Sequence, residues 1–155
     1  MLLQSGCGGS TSFKSALPAN GNVVTLTMKD APPTNVTVLS FRVTLTGAVL
    51  NPGNINLLAS TGLQDIDVEK LQAETAFIST ASVPANSGPI TSLSLTFANP
   101  ELTIINGTGN TIANCSPGPS PCQVKPTGVL LASVNFSPAL NLATGSSAGL
   151  LVDLN

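Results

Sequence analysis

The side chains able to do chemistry in this 155-residue chain are few: three cysteines, seven carboxylates and five cations, with no histidine at all. Without an imidazole, Ser-His-Asp and Cys-His nucleophilic arrangements are excluded, as are the usual zinc and copper sites. A Ser-Lys pair is formally available where Lys14 lies between Ser12 and Ser15, but that stretch has the composition of a tether. Cys115 and Cys122 bracket "SPGPSP". Two cysteines without histidine do not make a zinc site, and in an exported protein the expectation is a disulfide closing a short, proline-stiffened loop. Chain entropy gives such a cross-link roughly 2 to 3 kcal/mol. Asp65, Asp67 and Glu69 alternate, so on an extended segment they share a face and offer hard oxygen ligands to calcium. On a helix the same residues read as a solvated first turn, with Asp67 capping and Glu69 at the positive end of the dipole.

The start of the chain, "MLLQSGCGGS", raises a different chemistry. Small residues before a cysteine, preceded by leucines, form the box at which a bacterial lipoprotein precursor is cut and acylated; Cys7 is then the lipidation site and "GGSTS" a flexible tether. Gln4 stands where that box carries Leu, and the basic and apolar regions of a full signal are missing, so the native start is expected upstream of Met1.

Composition narrows the partners. Only 8% of residues are charged against 42% hydrophobic, so the surface must be covered by Ser, Thr, Asn, Gly and backbone; cytosolic domains carry roughly a quarter charged residues. Lys14, Lys29, Arg42, Lys70 and Lys125 are scattered singly, which leaves no basic patch for nucleic acid. Five Phe with no Tyr or Trp argue against base stacking and weaken a sugar platform. No apolar run approaches the roughly 18 residues of a membrane span, so any membrane association rests on a lipid anchor. Nothing in the motifs calls for a cofactor. "NVT" at Asn35 and "NGT" at Asn106 have the form of glycosylation acceptors.

The elements that must position these groups are strands. "NVVTLTMK" (22–29), "TSLSLTFA" (91–98) and "GVLLASVNF" (128–136) alternate apolar and polar residues, as half-buried strands do. The last of these places Leu130, Ala132, Val134 and Phe136 on one buried face. The run 35–50 reads as a bent strand with Leu39, Phe41, Val43 and Leu45 inward and Arg42 and Thr44 outward. Shorter strands are expected at 55–60, 101–106 and 148–155. Between them "DAPPTN", "NPGN", "PANSGP", "NGTGN", "SPGPSP" and "ATGSS" supply turn chemistry, Asp30 ordering the first. The exception is "DVEKLQAETAFIS" (67–79), where Val68, Leu71, Thr75 and Ile78 fall at helical spacing behind Asp67. The expected fold is all-β: an antiparallel β-sandwich of about seven strands with one short helix, residues 1–21 forming signal remnant and tether and 22–155 a single domain. Because the apolar run "LLVDLN" closes the sequence, the last strand is expected to be completed by a further segment or by another chain.

"LTMKDAPP", the long strand "VTVLSFRVTLTGAVL", "DIDVEKLQ" and "VPANSGPITSLSLTFANPELTIING" together resemble a domain of unknown function in bacterial envelope lipoproteins of acidobacterial type. The resemblance spans Val23 to Asp153 and lies in the order and spacing of segments. Pro89 and Ile90 depart from it, standing where that family shows Gly-Thr-Tyr. It implies a secreted or lipid-anchored sandwich similar to transthyretin-like and starch-binding-like modules, with no catalytic residues to transfer.

The functional expectation is a non-catalytic extracellular or envelope β-sandwich module, lipid-tethered at Cys7, for adhesion or ligand binding, with a carbohydrate or protein surface as the candidate ligand. The alternative is a subunit of an extracellular filament that self-associates through edge strands. A carboxylate-based hydrolase ranks third, because its candidates lie on one local segment with no distant partner.

Overall fold

The computed structural model describes residues 21–30 and 37–154. Cys7, Lys14 with its serines, most of the first turn and Asn35 lie outside the described residues. Nine strands run through the described part: β1 Gly21–Lys29, β2 Thr37–Asn51, β3 Ile55–Asn56, β4 Gln64–Asp67, β5 Ala76–Pro84, β6 Ile90–Ile105, β7 Pro121–Val124, β8 Leu130–Leu140 and β9 Ser147–Asp153. They form two sheets. The smaller has the order β5-β1-β9; the larger has the order β3-β2-β6-β7, with β4 also on β2 and β8 also on β6.

Alternation explains how the two sheets share one core. Val24, Leu26 and Met28 of β1 are fully buried together with Ile78 and Val83 of β5, against Leu45 and Leu50 of β2 and Leu93 and Leu95 of β6. Two long strands could not hold that phase without correction. In the β2–β6 ladder Leu45 opposes Phe97 but Gly47 opposes Thr96, so Thr46 is an extra residue that switches the inward set from Val43 and Leu45 to Ala48 and Leu50. A Cβ on Gly47 would stand 3.2 Å from Thr96 Oγ1, so glycine permits the close approach at this bulge. On the other side Arg42 opposes Glu101 and Thr44 opposes Ala98, which leaves an extra residue on β6 where Asn99 takes φ 51°. Asn is among the few residues that visit this left-handed region readily. The bulge keeps 91–98 and 101–106 in one continuous strand where two were expected.

Several expectations change. Residues 67–79 are not a helix: a 3₁₀ turn covers Val68–Gln72, Asp67 makes no side-chain cap, and Phe77 and Ile78 already belong to β5. The helical spacing is real, but β1 needs an antiparallel partner on its free side, and the ladder from Gly21↔Pro84 to Met28↔Ala76 overrides a weak local preference. Val68, Leu71 and Ile78 are buried all the same. The sheets are not purely antiparallel either, since β9 runs parallel to β1 from Val23↔Ser147 to Lys29↔Asp153. Thus β9 is paired within its own chain along its whole length. The 55–60 strand shrinks to Ile55–Asn56; beyond it Leu57 N–H bonds Ala48 O at 2.8 Å and Gly62 N–H bonds Leu58 O at 2.8 Å, a turn that still buries Leu57 and Leu58. Leu39 falls at a register slip between Val38 and Ser40 and is 44% exposed, not inward. Strand β8 departs furthest: its supposed core face is open, with Leu130 52% and Val134 43% exposed.

Candidate functional site

Polar side chains collect on the outer face of the larger sheet, because inward positions there are taken by the core and alternation leaves the rest to solvent. At one end Arg42 of β2 sits in register between Asp67 of β4 and Glu101 of β6. Asp65, Arg42, Thr44, Asn99 and Glu101 line one shallow depression of about 160 Å³. Asp65 Oδ1 accepts a 2.8 Å hydrogen bond from Thr44 Oγ1. Glu101 accepts one from Gln123 Nε2 of β7 and pairs with Lys125 Nζ at 3.2 Å. Thus a belt of charge crosses β4, β2 and β6 and ends at Lys125, just beyond β7. Toward the other end the face is uncharged: Asn51 Nδ2 donates to Ser94 Oγ at 3.2 Å, and Ser92 and Ser94 stand opposite Asn135 and Ser133 of β8.

The three calcium candidates are separated. Asp65 and Asp67 share a face of β4, but the chain turns at Val68 and carries Glu69 away from them. Asp67 Oδ2 lies 3.6 Å from Lys70 Nζ, and among the described residues no group of three His, Cys, Asp or Glu is placed to hold a metal. The groove of about 230 Å³ beside them, between β4 and the start of β5, has Asp65, Asp67, Lys70 and Glu74 on its walls and Leu71 and Ile78 at its base. What sequence reasoning missed is Glu101, the distant carboxylate that β6 brings beside Asp65. Only the β2 ladder, 36 positions of chain apart in sequence, reveals the neighbourhood, and no local pattern could have signalled it.

Cys115 and Cys122 are joined by a disulfide. It ties the loop after β6 to β7, and Cys115 is fully buried. Beneath it Asn106 is a buried hub: its Nδ2 donates to the carbonyls of Asn110 and Cys115, both at 2.8 Å, while its Oδ1 accepts from Thr108 Oγ1 at 2.7 Å and Thr108 N–H at 3.1 Å. An amide nitrogen enclosed and committed in this way is not a glycosylation acceptor, so the "NGT" triplet is a structural turn.

No family model matches the chain, and neither does any curated protein or solved structure. The disulfide fits a non-reducing, extracellular environment. No helix among the described residues is long and apolar enough to cross a membrane.

Proposed function

We propose that the chain is a non-catalytic β-sandwich module of the cell exterior or envelope, lipid-tethered through Cys7, which presents the outer face of its larger sheet to a protein or carbohydrate surface ligand. The observation that carries this reading is the make-up of that face: an exposed surface mainly of Ser, Thr and Asn with a short charged belt, in which Asp65 is bonded by Thr44 and Glu101 by Gln123 and Lys125. The sequence resemblance to envelope lipoprotein domains points the same way.

Two measurements test it. Intact mass of the protein from its native host, with and without reductant, is expected to give a chain beginning at Cys7 with added lipid, and a gain of about 2 Da on reduction as the disulfide takes up two hydrogens. An unlipidated chain in the soluble fraction with free thiols overturns the tether. For the binding face, beads coated with the protein are expected to lose adhesion to polysaccharide and protein surfaces when Arg42→Glu is introduced; unchanged adhesion removes the charged belt from the reading. A second reading, self-association of subunits, is favoured by one observation, the open edge of β8.

A further inference from the structure

Edge strands of soluble proteins are normally blunted by charge, proline, bulges or brevity, because an unpaired row of N–H and C=O groups is a template for another strand. The edges of this molecule differ sharply in that respect. Strand β4 carries Asp65 and Asp67, β3 has two residues, and β7 has four with Lys125 just beyond; in the smaller sheet β9 ends at Asp153, while β5 is uncharged over nine residues and stops at Pro84. Strand β8 has eleven residues and no charge, and the whole stretch from Pro126 to Val152 is charge-free. Among the described residues its only ladder partner is β6, so its second edge is open. Its protection lies wholly at one end: four residues, Phe136 to Ala139, loop out opposite Thr91, and Pro138 is among them. The straight part is left bare on both faces. Leu130 and Val134 stand on the inner side, directly opposite buried Phe97 and Leu93, yet about half of each is exposed; Leu131, on the outer side, is 79% exposed.

We infer that this edge docks against the same edge of a second copy, β8 antiparallel to β8, so that the larger sheet runs continuously through a two-fold dimer. The occupant follows from the absence of charge: a neutral strand meets its own copy with no like-charge pair in any register, and a self-complementary patch closes at two subunits. The register follows from the bulge. The straight, ladder-paired part is Leu130–Asn135, and a two-fold axis at Ala132 overlaps residues 130–134 of both copies with their inner faces matched. Leu130 then faces the second copy's Val134 on the inner side and Val134 its Leu130, while Leu131 meets Ser133 on the outer side. The smallest apolar side chain of the segment sits where two copies approach themselves.

The test uses the full chain with Cys7→Ser, so that the only free thiol is one introduced deliberately. Light scattering at about 50 µM is expected to give twice the 15.5 kDa chain mass. Ala132→Lys sets two ammonium groups opposite one another and raises the dimer dissociation constant by roughly tenfold or more. Ala132→Cys is expected to oxidise in air to a covalent dimer, whereas Leu151→Cys, also exposed but on the other sheet, is not. Circular dichroism checks that each exposed-site variant keeps its strands. A chain that stays monomeric overturns the proposal. So does a dimer indifferent to Ala132→Lys, a dimer that cross-links as readily through Leu151→Cys, or an open polymer that persists in Ala132→Lys.

Discussion

Strands β6 and β8 lie side by side with the same alternation, "TSLSLTF" against "LLASVNF", and meet opposite fates. Leu93 and Leu95 of β6 are 1% exposed, while Val134, in register with Leu93, is 43% exposed. Both strands turn their apolar residues toward the same side of the same sheet. The difference is what faces them. The smaller sheet has three strands, and its cover reaches β6 and β2 but not the straight part of β8; only Phe136 and Leu140, at the far end, pack against the core. Alternation therefore specifies a face, and the opposing layer specifies whether that face is dry.

The sharpest way to break this comparison is to truncate equivalent positions. Leu95→Ala removes a fully enclosed side chain, and the expected cost is about 2 to 5 kcal/mol in urea unfolding; a cost under about 1 kcal/mol would mean that β6 is not core. The disulfide loop adds a third region whose stability comes from connectivity. Cys115→Ser with Cys122→Ser is expected to lose about 2.5 kcal/mol by the chain-entropy estimate, read from the same denaturation midpoint. Asn106→Ala takes away both acceptor and donor from the hub beneath that loop and is expected to cost about 1 to 3 kcal/mol, with amide exchange at Thr108 and Cys115 accelerated. At the small end, Val134→Ala, measured in the Ala132→Lys background so that dimerisation does not contribute, is expected to change stability by less than about 1 kcal/mol. A large cost there would show that β8 is covered after all.

The segment 67–79 teaches the converse lesson. Its apolar residues were legible as buried, and Val68, Leu71 and Ile78 are; its geometry was not, because a four-residue strand, a 3₁₀ turn and a second strand can bury the same positions that a helix would. The candidate site divides in the same way. The pairing of Cys115 with Cys122 was legible from the lack of histidine together with the expectation of an exported chain, and the outward direction of Arg42 and Thr44 from alternation. The placing of Arg42 in register between Asp67 and Glu101 was not, since each pair is fixed by a ladder between strands far apart in the chain.

By itself the sequence determined what is local: that the long alternating stretches of β1, β2 and β6 are strands and which of their faces is apolar, where most turns fall, and that these residues supply no histidine. These follow from the two-residue period of a strand and from side-chain type. Tertiary structure alone decided what depends on distant segments lying together: the strand identity of 76–84, the parallel seat of β9, the bulges that keep β2 and β6 in phase, the charged belt, and the bare edge of β8. Ladder pairing and layer coverage are set by the whole chain's competition to bury apolar surface and satisfy backbone groups, and no local pattern encodes the outcome of that competition.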